Sequence, residues 1–125
     1  MMEIIGNTFN QTYENYKAYF IYQHGTAKFE KAYHAVVNSD KIKNLLLWSR
    51  SNHNYLGGAD YSNTINSIFY FMFKNNETTA MGVLIAIKYW NDNLNACMGL
   101  CADSKVNDIA INQLRQYCAS LLYSR

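Results

Sequence analysis

Two apolar runs, Ile68–Phe73 and Ala80–Ile87, stand on either side of the polar stretch Lys74-Asn75-Asn76-Glu77-Thr78-Thr79. Apolar runs of about 4–8 residues bounded by a turn signal read as buried strands, and two in series read as a β-hairpin. On a strand, Phe69, Phe71 and Phe73 share one face, with Ile68, Tyr70 and Met72 on the other. In the second run, Met81, Val83, Ile85 and Ile87 alternate with the smaller Ala80, Gly82, Leu84 and Ala86. A face of small residues either lets a helix approach closely or leaves room for a ligand. After Asn91-Asp92-Asn93, the segment Leu94–Cys101 alternates in the same way and predicts a third strand.

The flanks of this region read as helices. Asn7 or Thr8 caps a first helix carrying Phe9, Tyr13, Tyr16 and Phe20, and Gly25 stops it. Thr26 caps a second helix with Phe29, Tyr33, Val36 and Val37, and Asp40 caps a third with Ile42, Leu45, Leu46 and Trp48. Ser104 opens a last amphipathic helix, 104–122, with Val106, Ile109, Ala110, Leu114, Tyr117, Cys118 and Leu121 on one stripe. The expected fold is therefore α+β in a single domain, 1–125. N-terminal helices and the C-terminal helix pack on a small antiparallel sheet built from the 68–73/80–90 hairpin and strand 94–101. The competing assignment is an all-α bundle, because Ile65, Ile68, Phe69 and Met72, and again Met81, Leu84, Ile85 and Lys88, also fit helical spacing. Periodicity alone does not separate a buried strand from a buried helix; enrichment in Phe, Ile, Val and Tyr favours strands here.

Net charge is +2, with eleven basic and nine acidic residues, and the basic residues are scattered. A dedicated nucleic-acid binder carries a clustered basic face, so that class fits poorly. The group Lys28, Lys31, Lys41, Lys43 and Arg50 reads as a solvated helix surface. Three cysteines, an odd number, argue against a disulfide framework and for a reducing, cytoplasmic setting. No apolar stretch reaches about 18 residues, and Met1-Met2-Glu3-Ile4-Ile5-Gly6 has no basic or apolar signal-peptide pattern. Neither a membrane span nor a signal peptide is expected.

The longest irregular stretch, 49–63, holds the candidate site, since long loops are where function tends to sit. His53 and Arg50 there are side chains that a metal-independent phosphodiesterase or ribonuclease would need, one to move protons and one to stabilise phosphorane charge. Against catalysis, these residue types are ordinary in a polar loop. Gly57-Gly58 reads as a tight turn, and no phosphate-binding glycine motif occurs anywhere, so no cofactor is expected. Tyr55 and Tyr61 flank that turn and suit an interface. Cys97 and Cys101, on a strand, lie roughly 13 Å apart, too far for one zinc ion, and no metal site is expected. The order hairpin, strand, amphipathic helix resembles that of GNAT-type acyltransferases. Yet Asp103-Ser104-Lys105-Val106-Asn107-Asp108 lacks glycine and carries two acids that would repel a pyrophosphate, which excludes the family.

The leading functional expectation is a non-enzymatic protein-interaction factor, of the inhibitor, immunity or accessory type found on bacterial or phage mobile elements. Arg50, Tyr55, Tyr61, Gly57 and Gly58 would supply its contacts. The second is a domain that binds a small apolar or aromatic molecule in a pocket beside the sheet, lined by Phe69, Phe71, Gly82 and Ala86. The third is the phosphodiesterase. Sheet edges need cover, and pairing of two copies as a homodimer is one solution. Replacing Tyr55 with alanine should weaken partner binding without unfolding the domain; a variant that unfolds would instead place Tyr55 in the core.

Overall fold

The computed structural model describes residues 2–52, 76–94 and 104–123. Among the described residues there are five helices: α1 (Met2–His24), α2 (Thr26–Val37), α3 (Asp40–Asn52), α4 (Glu77–Leu94) and α5 (Ser104–Tyr123). None of the described residues forms a strand, so the α+β expectation is corrected to the all-helical alternative. Residues 80–90, assigned to the hairpin, are the middle of α4. Of the other two expected strands, 68–73 lies outside the described residues, and Leu94 of 94–101 is the last residue of α4 while the rest lies outside them. The edge-pairing argument for a homodimer loses its 80–90 strand with this correction.

The reason for the misassignment lies in the burial of α4. Every residue from Thr78 to Ile87 is buried. A helix enclosed on all sides is apolar all round and shows no 3.6-residue period, so its sequence matches a buried strand. Helix α4 packs against α1, α2, α3 and α5, and each of those lays one stripe on it. Tyr13 and Phe20 are buried from α1, with Phe29, Ala32 and Val36 from α2. Ile42, Leu45 and Leu46 come from α3, and Leu114 and Cys118 from α5. Trp48 and Leu121, read as core positions, stay substantially exposed at 41% and 37%.

The helix junctions are short and locally determined. Gly25 adopts φ +94°, where a side chain is strained, and its N–H donates to Ile21 O at 2.8 Å to end α1. Its carbonyl accepts from Phe29 N at 3.3 Å, so the same glycine starts α2, and Thr26 is not the cap. At the next junction, Asn38 donates to His34 O through both its backbone N–H (3.3 Å) and its side-chain amide (2.8 Å). Ser39, rather than Asp40, caps α3, its Oγ accepting from Ile42 N at 3.2 Å. Asn76 caps α4 by accepting from Thr79 N at 3.1 Å. Helix α1 runs on N-terminally from the expected Asn7 or Thr8 cap to Met2.

Tertiary contacts set the directions. Near the N-terminus of α4, Glu77 meets His24 at the end of α1, while Lys88 further along meets Tyr13. Helix α1 is therefore antiparallel to α4. Helix α5 is also antiparallel, because Gly82 faces Cys118 and Leu122. A β-carbon on Gly82 would lie 2.9 Å from Leu122 Cδ1 and 3.2 Å from Cys118 Sγ. The glycine thus lets α5 approach closely.

Replacing Gly82 with leucine should cost about 1–3 kcal/mol in a urea titration, the usual penalty for overpacking. Alanine should stay within about 1 kcal/mol of the parent, because its better helix propensity offsets the contact that Leu122 must relieve. A leucine variant as stable as the parent would mean that α5 does not seat on this face.

Candidate functional site

A concavity lies between α1, α2 and α4. It is an open groove of about 480 Å³. Its position follows from the helix directions. Helices α1 and α2 form an antiparallel pair about the Gly25 junction, and α4 lies against both. Where α4 leaves the core its residues turn polar, and Lys88, Asp92 and Asn93 join Tyr89 along the groove.

The walls are aromatic. Tyr13 and Phe29 are buried, while Tyr33 and Tyr89 are half-buried and meet edge to face at 6.2 Å and 89°. Tyr33 also packs on Phe29 at 6.2 Å, and Tyr89 stands edge-on to Trp90 at 5.0 Å. Two ammonium groups rest on these rings. Lys17 Nζ is 5.1 Å from the centre of the Phe29 ring, and Lys88 Nζ is 6.0 Å from that of Tyr13. Lys88 also pairs with Asp92 at 2.9 Å, an i,i+4 bridge along α4. Glu30 and His34, both exposed, stand on the α2 side. Burial, followed by the nearby charge of Glu14 and the groups Tyr33 and Asp92, pushes the Tyr13 phenol up to about 12. It is a neutral hydroxyl at physiological pH, and it has no hydrogen-bond partner among the described residues. A shallower hollow of about 240 Å³ continues beyond Tyr89 toward Asp40 and Lys43 of α3.

A second polar cluster joins the end of α1 to the start of α4. His24 Nε2 lies 2.8 Å from Glu77 Oε1, and the Tyr19 hydroxyl donates to Glu77 Oε2 at 2.8 Å. The hydrogen bond from His24, with a smaller contribution from Tyr19, holds the Glu77 carboxyl below its ordinary value, while accepting groups raise Tyr19. His24 is the last residue of α1, and its partner is Glu77 of α4. The Phe20 ring packs on His24 at 4.6 Å. With both oxygens of Glu77 occupied by side chains of α1, this cluster serves as a tie between helix ends.

Of the expected site residues, only Gly82 and Ala86 have described surroundings. Arg50 lies in the last turns of α3, and nothing of its side chain is described. His53, Tyr55, Gly57, Gly58, Tyr61, Phe69 and Phe71 lie outside the described residues. Gly82 and Ala86 are buried inside the bundle, and the space beside Gly82 is filled by Cys118 and Leu122. Cys118 is a buried thiol that desolvation pushes up to about 12, which leaves it without nucleophilic character. Sequence reasoning missed Lys17, Lys88 and Tyr89. The spacing Lys88-x-x-x-Asp92 was the available signal, since that pair meets only if the segment is helical. Among the described residues, no group of three or more His, Cys, Asp or Glu is placed to hold a metal ion. No helix among them is long and apolar enough to cross a membrane.

Comparison with protein-family models, with curated proteins and with solved structures found no match.

The depressed Glu77 carboxyl makes a pH prediction. A folded-state value below the unfolded one adds stability that is complete above the ordinary 4.5 and drains as pH falls through the folded value. The pair is solvent-accessible, so the contribution is under about 1 kcal/mol. Glu77→Gln should therefore lower the urea midpoint near neutrality and converge on the parent in acid. A gap that persists unchanged in acid would show that the carboxylate charge is not the cause.

Proposed function

We propose that this chain is a non-enzymatic binding protein of the cytoplasm that acts by engaging another protein, as an inhibitor, immunity or accessory factor does. The observation that supports this reading is the groove between α1, α2 and α4. Clustered tyrosine and phenylalanine rings are enriched at the centre of a protein interface, and lysines and carboxylates beside them belong to its polar rim. The groove opens to solvent, and its lining mixes polar and apolar side chains. Small-molecule sites, by contrast, enclose most of their ligand behind predominantly apolar walls. An exposed side chain of a partner fits the open shape better. The loop residues Arg50, Tyr55 and Tyr61 are proposed as further contacts.

The test places a bulky neutral residue at the mouth of the groove. Glu30 is exposed, so Glu30→Trp fills the groove without entering the core. Affinity capture from the native host, followed by native mass spectrometry, should recover a stoichiometric partner with the parent chain. Recovery should fall by roughly tenfold, about 1.4 kcal/mol, with Glu30→Trp at an unchanged melting temperature. Equal recovery with the variant would remove the groove from the interface.

A further inference from the structure

We draw no further inference here: the strongest candidate, the surface patch of exposed apolar side chains Leu47 and Trp48 on α3 and Leu121 on the neighbouring α5, carries nothing because nothing in the structure shows what covers it.

Discussion

Burial of α4 on every side is the constraint on which the rest of the bundle depends. The helix is in contact with all four of the other described helices, and the stretch from Thr78 to Ile87 has no solvent-facing residue. Each outer helix has only one apolar stripe, and that stripe has somewhere to go only because α4 offers apolar surface around its whole circumference. Close approach is needed as well as hydrophobicity, and Gly82 supplies it where Cys118 and Leu122 of α5 press in. The enclosure has a local cost. Thr79 Oγ1 is buried without a hydrogen-bond partner among the described residues, a penalty of about 1–3 kcal/mol that the surrounding apolar contacts must offset.

The same arrangement places the polar chemistry. A helix sheathed along its middle can carry charge only where it emerges, and α4 does so at two levels. At its start, Glu77 is held by His24 and Tyr19 of α1, which ties the two helix ends together. Eleven residues on, roughly 16 Å along the axis, Lys88 and Asp92 emerge between α1 and α2 and complete the groove. Because α1 runs antiparallel to α4, Tyr13 and Lys17 arrive at that same level. The groove is thus a consequence of helix direction: three elements bring aromatic rings and long charged side chains to one place, with Ile85 of the core beneath them.

Much of the outer layer was legible from residue spacing. The stripes containing Tyr13 and Phe20, Phe29 and Val36, Ile42 and Leu46, and Leu114 and Cys118 have helical period because each helix has a wet side and a dry side. Gly25 marked the end of α1, and the structure shows the positive φ that makes glycine suitable there. The central helix was legible only as the alternative to a strand, and for the converse reason: with no wet side, Ala80–Ile87 has no period that separates the two. The error carried into the site. Reading 80–90 as a strand left Asp92 in the following turn and would hold an i,i+4 pair roughly 13 Å apart, so the pairing of Lys88 with Asp92 and the groove beside it were invisible, while Gly82 and Ala86 looked like the lining of a pocket.

What the sequence alone determined is local: the helical stripes of the outer elements, the sharp junction at Gly25, and the near-balance of charge. Each depends on residues within a turn or two of one another, so the information is present along the chain. Only the tertiary structure decided that Ala80–Ile87 is a helix, that Gly82 is a packing contact, and that Tyr13, Lys17, Phe29, Tyr33 and Lys88 share a groove. An apolar run can satisfy its backbone as helix or strand, and the choice rests on which partners can surround it. That depends on contacts between residues more than fifty positions apart, such as Tyr13 with Lys88, and no local pattern encodes them.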